Sequence, residues 1–580
     1  MSTSKKIDII CLICIFIGLV ITVLFMFGEA LGIEVIHDED AETNEDSQYF
    51  SSKDLNGDWD TDAATQIVLD GDTAKITGSG AYFYGGSLVI TSAGYYVISG
   101  ELSDGSIIVD ANQNSKVFVK LAGVDIYSED NAAFLVNQAD KVFLTIANDT
   151  QNTISTGSVF SSNAIAEEVS GAIHAKDDLT INGSGSLTIT TGYRHGIKAK
   201  DDLVITGGDI TIVCEGDGIN VNDSFRFTGA SVSIDSGGDG IDQGNDTGYI
   251  YIADGTIDID AGDDAINSAV SITIDGGTLN IRSGDDAIHA QTELTINDGT
   301  INVTDSHEGL EAGFITINGG RAVIYAEDDC INAGGADAPL IKITGGYIDV
   351  TTPSGDTDAI DSNGDIEVSG GIVLVRGGSS SGSVSGSIDV DGEIRVTGGT
   401  VIALGGICET PTQDSVNTSI FSGTGFGAGE YVLTDSDGNE VLTWSIASGC
   451  TNGWIASDKL TIGSEYILKR DDSTVVTWTQ DAQTVGSAGN SGMGPGGMGG
   501  EDMSQHGGME GRGSAQGDPQ GMGGNDSFAP DGMDNSSADN STSVSESVIG
   551  TDGWWIAVLC TVVCLAAGLA FCGLYSERIK

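Results

Sequence analysis

Residues 263–281 read DDAINSAVSITIDGGTLNI, and residues 285–303 repeat the pattern as DDAIHAQTELTINDGTINV. In each copy, two aspartates precede a small and an apolar residue, and two short segments of alternating apolar and polar residues follow around a glycine. Such alternation buries the side chains on one face of a strand and exposes those on the other. The pattern therefore predicts short β-strands joined by glycine-containing corners.

The repeat continues in both directions along the chain. With the apolar residue after the small one taken as a marker, the markers are Ile173, Ile197, Ile219, Ile241, Ile266, Ile288, Leu310, Ile331 and Ile360. Their successive spacings are 24, 22, 22, 25, 22, 22, 21 and 29 residues. Three short strands in a unit of about 22 residues predict an all-β fold, a right-handed parallel β-helix with one unit per coil. Leucine-rich repeats have a similar period, but their leucine and asparagine pattern is absent and β-branched residues dominate.

The composition changes outside the repeat predict seven parts. They are a signal anchor or signal peptide at 1–30, a linker at 31–64, the β-helix at 65–404, a small β capping domain at 405–484, a disordered Gly/Met/Ser-rich tether at 485–552, a transmembrane anchor at 553–575 and a cytoplasmic tail at 576–580. The apolar runs at 7–27 and 554–575 are each long enough to span a bilayer, and basic residues flank them. We therefore expect a cell-membrane protein with an extracellular body and a cytoplasmic C terminus.

The charge balance restricts the partners. The chain has 85 acidic and 23 basic residues, a formal net charge of −62. Such a surface repels nucleic-acid phosphates, so no nucleic-acid partner is expected. Divalent cations are the natural counterions.

The acidic residues around each marker point to a metal. Equivalent positions of successive coils stack about 4.8 Å apart, and carboxylates that close repel one another unless a cation lies between them. Ca²⁺ fits this role because it takes six to eight oxygen ligands. The predicted Ca²⁺ ligands are Asp217, Asp239, Asp242, Asp263, Asp264, Asp285, Asp286 and Asp329. The alternative is that these aspartates only cap corners and face water.

Three short segments and the Gly/Met-rich tail carry a family resemblance. The segments are ITSAGYYVISG at 90–100, VDI at 124–126 and GAIHAKDDLTING at 171–183. In this order, over about residues 48–480, the chain resembles the clostridial surface family of carbohydrate-binding right-handed β-helix proteins. The resemblance implies a fold similar to that of pectate lyases, bound Ca²⁺, and affinity for cellulose or an acidic plant polysaccharide such as pectate. It does not imply catalysis.

Several side chains are candidates for sugar contact, because aromatic rings stack on sugars and basic groups pair with acidic ones. They are Tyr193, Arg194, Lys198, Tyr249 and Tyr251. In YRHGI at 193–197, basic residues replace the acidic pair before the marker, so this coil is expected to lack metal and to meet an acidic sugar. For each tyrosine, packing in the core or at a corner is the alternative.

Three functions remain open. The favoured one is a membrane-anchored, Ca²⁺-dependent polysaccharide-binding adhesin without catalysis. One alternative is a Ca²⁺-dependent polysaccharide lyase, with Lys198 as the base that removes the proton next to a uronate carboxylate. The other is a structural surface adhesin without affinity for sugars.

Overall fold

The computed structural model describes residues 49–353, 357–377, 386–407 and 409–486. Their main body is a solenoid in which each coil contributes one strand to each of three parallel sheets. Alternate side chains of each strand point inward, because β-branched and other apolar residues occupy every second position. The predicted all-β parallel β-helix is confirmed.

The first sheet contains the markers and is called the marker sheet. Its strands are Ser87–Ile90, Ile107–Asp110, Phe134–Gln138, Gly171–Ala175, His195–Ala199, Ile219–Val221, Ile241–Gln243, Ile266–Ser268, the first parts of Ile288–Ile296 and Leu310–Ile317, Ile331–Ala333, Ile360–Ser362 and Ile388–Val390. The markers stack in register, so that Ile219 is followed by Ile241, Ile266 and Ile288, all fully buried.

The second sheet follows the marker sheet in each coil, and its first three strands continue into the third sheet. Its strands are Thr65–Gly71, Gly94–Leu102, Lys116–Ser128, Lys141–Ile146, Asp178–Gly183, Leu203–Ile205, Ser224–Phe227, Tyr249–Ile252, Ser271–Ile274, the second parts of Ile288–Ile296 and Leu310–Ile317, Leu340–Ile343, Asp365–Val368 and Ile394–Val396.

The third sheet completes each coil. Its further strands are Gln151–Thr156, Ser186–Thr191, Asp209–Cys214, Ser231–Ser236, Thr256–Ala261, Thr278–Arg282, Thr300–Asp305, Arg321–Tyr325, Tyr347–Thr351, Ile372–Gly377 and Thr400–Gly405. The corner before it requires glycine in the repeat. Gly277 and Gly299 have φ of 87° and 107°, which side chains rarely tolerate, and a Cβ on either would lie about 3.0 Å from backbone atoms of the preceding coil.

Antiparallel strands cover both ends of the solenoid, which protects the open sheet edges. At the N-terminal end, Thr73–Thr77 pairs with Thr65–Gly71, and Ala81–Tyr84 pairs with Ser87–Ile90. At the other end, Gly453–Ser457 pairs with Thr400–Gly405. The remaining C-terminal strands are Thr418–Ile420, Gly425–Phe426, Gly429–Asp435, Glu440–Ile446, Cys450–Thr451, Glu465–Arg470, Ser473–Thr479 and Thr484–Val485.

Two short helices lie beside the coils. Ser162–Ala166 belongs to an insertion, residues 157–170, between the third-sheet strand Gln151–Thr156 and the marker-sheet strand Gly171–Ala175. Ser52–Leu55 belongs to residues 49–59, which we call the strap because they run along the outside of the second sheet.

The predicted membrane segments, the cytoplasmic tail and all of the predicted tether after residue 486 lie outside the described residues. Within the part of the chain that the structure describes, no helix combines the length and apolar character needed to cross a bilayer.

Candidate functional site

Two columns of polar side chains run along the marker sheet. The corner column lies two residues before each marker and consists of Asp217, Asp239, Asp264, Asp286, Glu308, Asp329 and Asp358. The strand column lies one residue after each marker and consists of Asn220, Asp242, Asn267, His289, Glu311, Asn332, Asp361 and Asp389. Since the markers point inward, their neighbours in these strands point outward. The parallel register therefore brings residues far apart in sequence into one acidic stripe.

The corner column caps the backbone of the next coil. The N–H groups of Asp239, Asp264 and Asp286 donate to Oδ1 of the preceding column aspartate, at 3.2, 3.1 and 2.9 Å. The N–H of Asp358 donates in the same way to Oδ1 of Asp329, at 3.1 Å. The capping role considered from the sequence is therefore real, but these bonds use only one of the two carboxylate oxygens.

The remaining ligand atoms converge where the markers are Ile266, Ile288 and Leu310. In each of three groups, every residue offers one ligand atom, and these atoms lie within 4.8 Å of one another. The groups are Asp263, Asp264 and Asp285; Asp264, Asp286 and His289; and Asp286, Glu308 and Glu311. Four of the predicted metal ligands, Asp263, Asp264, Asp285 and Asp286, belong to this cluster.

Three members of the cluster are absent from the predicted ligand set. They are Glu308, Glu311 and His289. The signal for them was present in the sequence, since they occupy the two column positions of coils whose other residues match the repeat. A restriction of the set to aspartate excluded them, although glutamate binds Ca²⁺ as well.

The crowding of carboxylates changes their acidity. Burial, a hydrogen bond with Glu311 and the charge of Asp264 together raise the pKa of Asp286, which is only 7% exposed. Burial and neighbouring carboxylates also raise the pKa of Asp239 and of Asp329 to about 7, and that of Asp242 to about 6. A bound cation would oppose these shifts, because its positive charge stabilises the ionised carboxylates.

The predicted ligands at the N-terminal end of the stripe have other partners. Asp217 lies 3.0 Å from Nδ1 of His195, and the Asn220 amide donates to both Asp217 and Asp242, at 2.6 and 2.7 Å. Although burial opposes ionisation of Asp217, the hydrogen bond from His195 holds its pKa below the usual value. Here a basic side chain and an amide group stabilise the negative charge of the carboxylates.

Lys198 lies one coil before Asn220 in the strand column. Its ammonium donates to the side-chain oxygens of Asn220 and Asn222, and burial lowers its pKa. Arg194 is exposed, with a left-handed φ of 53°, and the ring of Tyr193 stacks on Phe160 of the insertion at 4.2 Å. These three candidates share one region at the basic end of the stripe.

Tyr249 and Tyr251 lie on the second sheet rather than beside the columns. Packing, which is the alternative to sugar contact for each tyrosine, describes Tyr251, because the strap covers it. Tyr251 is 9% exposed, and its ring stacks on that of Tyr49 at 3.7 Å. Tyr249 is half-buried and contacts Tyr49 edge-on at 5.9 Å. The five predicted sugar contacts therefore do not form one site.

Comparisons with known proteins show which families and structures the chain is similar to. The family model described as carbohydrate-binding domain-containing protein matches residues 84–354. A carbohydrate-binding domain-containing protein of Acetivibrio thermocellus is 31% identical over 153 residues, 26% of this chain and 54% of the relative, so the match spans about half of that relative's length. A solved structure of the polysaccharide lyase-like protein from C. thermocellum, a gadolinium derivative, is 30% identical with a TM-score of 0.39, over 40% of this chain and 96% of that one. Residues 84–354, less than half of this chain, are thus similar to the carbohydrate-binding domain-containing family.

Proposed function

We propose that this chain is a non-catalytic, Ca²⁺-dependent polysaccharide-binding protein that uses the acidic stripe of the marker sheet. Its similarity to that family supports carbohydrate as the ligand class. The observation that carries the metal dependence is the convergence of Asp286, Glu308 and Glu311 within 4.8 Å.

The donor set of this cluster fits Ca²⁺. Three carboxylates offer six oxygens, and a hard cation with six to eight oxygen ligands matches that supply. His289 lies 3.7 Å from Asp264, and the interaction with that carboxylate raises the pKa of His289. Protonated His289 therefore offsets one negative charge of the cluster. Among the described residues, no cationic side chain forms an ion pair with Asp286, Glu308 or Glu311. Ca²⁺ supplies that charge.

The shape of the stripe favours a polymer as ligand. Column positions recur at about 4.8 Å along the solenoid axis, which gives an extended surface instead of a closed pocket. Glu308 and Glu311 are half-buried, so an ion held there keeps a side toward solvent. Carboxylates of an acidic plant polysaccharide such as pectate would complete the coordination of the ion. Cellulose, which lacks such groups, is the comparison polymer.

Surface display is part of the proposal. The apolar runs at 7–27 and 554–575 support a membrane-anchored protein whose described body is extracellular and whose C terminus is cytoplasmic. Protease added to intact cells is then expected to digest an epitope in the solenoid and to spare one at the C terminus.

The test is retention of the full-length protein on polygalacturonate and cellulose, in Ca²⁺ and in chelator. We expect retention on polygalacturonate in Ca²⁺, and its loss both in chelator and in the double variant Asp286→Asn/Glu311→Gln. Glu293→Gln, an exposed carboxylate on the second sheet, is the matched control and should bind normally. Absence of retention on both polymers would refute the binding function and favour a structural adhesin.

A lyase is the second candidate, because burial lowers the pKa of Lys198 and so makes its neutral, basic form more accessible. The ammonium also lies near Asp242 of the stripe, where a cation could acidify the proton next to a uronate carboxylate. Growth of absorbance at about 235 nm from unsaturated products, lost in Lys198→Met, would establish the lyase. We expect no such growth.

A further inference from the structure

The strap is fixed to the second sheet by buried polar contacts. The carboxylate of Asp54 lies 2.8 Å from the Lys141 ammonium, and the Asn182 amide donates to the Asp54 carbonyl at 3.1 Å. At the other end of the strap, the Trp59 indole donates to Thr145 at 3.1 Å. Residues 54–59 therefore form a fixed wall that rises from the sheet.

A groove with a volume of about 590 Å³ lies between this wall and the corners that follow the second sheet. Its polar lining consists of Asp58, Lys120, Asn148, Ser184 and Thr206. The strap approaches the corner so closely that a Cβ on Gly57 would lie 2.7 Å from the backbone of Gly183. The volume falls within the range of small-molecule sites, about 300–1,000 Å³.

Lys120 supplies the positive charge in the lining of the groove. Its side chain is 9% exposed, its ammonium donates to the Trp59 carbonyl at 3.3 Å, and it lies 4.2 Å from the centre of the Trp59 ring. Among the described residues, no carboxylate lies within ion-pair distance of it. The neighbouring cations of the same sheet differ, because Lys141 pairs with Asp54 and Arg226 pairs with Asp202 at 2.6 Å.

A buried ammonium that forms no ion pair among the described residues is unexpected in a chain with 85 acidic and 23 basic residues. Burial lowers the pKa of this ammonium, although the charge of Asp58 acts on Lys120 from a longer distance. Burial of a charge is costly unless it is paired, and an ammonium offers three donors, of which one has a protein acceptor here. The two remaining donors suit an anionic ligand that enters from the groove.

We propose that this groove binds an acidic saccharide, with Lys120 paired to the sugar carboxylate and with Asn148, Ser184 and Thr206 bonded to its hydroxyls. The inference rests on the proposed carbohydrate binding, but it assigns a second site on another sheet that needs no calcium. Several polar partners around a groove of this size favour a saccharide over a simple anion.

The test is calorimetric titration of the full-length protein in chelator with digalacturonate, its neutral digalactose counterpart and acetate. Digalacturonate should bind, and the other two should bind at least about tenfold more weakly. Lys120→Met should weaken digalacturonate binding about tenfold, whereas Lys75→Met, an exposed lysine at the N-terminal cap, should leave it unchanged. Asp58→Asn removes a repelling charge from the lining and should tighten binding about twofold to threefold.

The outcomes separate this site from the proposed function. Normal binding by folded Lys120→Met, or equal binding of acetate, would overturn the groove site even if polymer retention in Ca²⁺ persists. Binding in chelator that persists in Asp286→Asn/Glu311→Gln supports the groove, whether or not the stripe retains polymer. If Lys120→Met fails to fold, Asp58→Asn decides, and unchanged or weaker affinity in that variant would refute the proposal.

Discussion

Asp286 takes part both in the capping of the corner column and in the crowding of carboxylates. Its N–H is capped by Asp264, while its own carboxyl is buried against Glu311. Burial and these neighbours raise its pKa, so the metal-free protein holds a proton there that the unfolded chain releases at neutral pH. Without metal, this residue therefore lowers stability.

The variant Asp286→Asn should accordingly raise the stability of the metal-free protein and lower its affinity for Ca²⁺. In chelator at pH 7, its free energy of unfolding should rise by about 1 kcal/mol or more, because the amide carries no charge and can still donate to Glu311. In Ca²⁺ its metal affinity should fall about tenfold or more, because a charged ligand is lost. Thermal unfolding and calcium titration measure the two effects, with Glu293→Gln as the control. A lower stability in chelator would contradict the charge argument.

Asp54, in the strap, has the opposite effect on stability, because its ionised form stabilises the folded protein. Although burial opposes its ionisation, the Lys141 ammonium and hydrogen bonds hold its pKa below 3.8. Its stabilising contribution is therefore complete above about pH 4 and is lost as the pH falls through the folded pKa. Asp54→Asn leaves the half-buried Lys141 without its partner and should lower the free energy of strap opening by about 3 kcal/mol. Hydrogen exchange of the strap amides at pH 7 measures this, and unchanged protection would show that the ion pair does not hold the strap.

At the level of the element, the marker strands are short, and their stability depends on stacked isoleucines. Ile266 is fully buried between Ile241 and Ile288 of the adjacent coils. Ile266→Ala should cost about 2–5 kcal/mol through lost burial and a cavity. Val213→Ala on the third sheet, where the side chain is 41% exposed, is the control and should cost less than about 0.5 kcal/mol. Urea unfolding compares them, and equal costs would argue against a close-packed interior.

The same strands show how far the sequence carries the prediction. Each marker strand follows from a local pattern, and the columns follow from the markers, since parallel register stacks equivalent positions. The stack continues to Phe134 and Leu88, which lie within the predicted β-helix at 65–404 but are not among the predicted markers. Between Phe134 and Ile173 the insertion, with its helix Ser162–Ala166, interrupts the period. The strands therefore stay in parallel register although the spacing of their residues in the sequence is irregular.

The strap could not be predicted in this way. It carries no repeat, and its contacts join residues far apart in sequence, such as the Trp59 indole and the Thr145 hydroxyl, 86 residues away. The same segment explains why Tyr251 is covered and creates the groove beside Lys120. Contacts made by a non-repeating segment have no periodic signature, so only the three-dimensional structure gives them.

For the whole molecule, the acidic stripe makes stability depend on pH and calcium together. Burial and neighbouring carboxylates raise the pKa of Asp239 and Asp329 from 3.8 to about 7. Between about pH 4 and pH 7, the folded protein therefore binds more protons than the unfolded chain, and its free energy of unfolding falls as the pH rises. This is the reverse of the effect of Asp54, whose stabilising contribution is lost as the pH falls below that range.

Calcium should abolish this fall, because a cation in the stripe replaces the protons and stabilises the ionised carboxylates. We expect the melting temperature in chelator to drop by at least about 5 °C from pH 4.5 to pH 7.5, and to stay level or rise over the same range in millimolar Ca²⁺. Scanning calorimetry of the full-length protein measures both curves, with Mg²⁺ as the comparison ion because it accepts fewer protein oxygens. A melting temperature that rises with pH in chelator would mean that the stripe carboxylates are compensated within the protein, and it would remove the electrostatic reason for a bound ion.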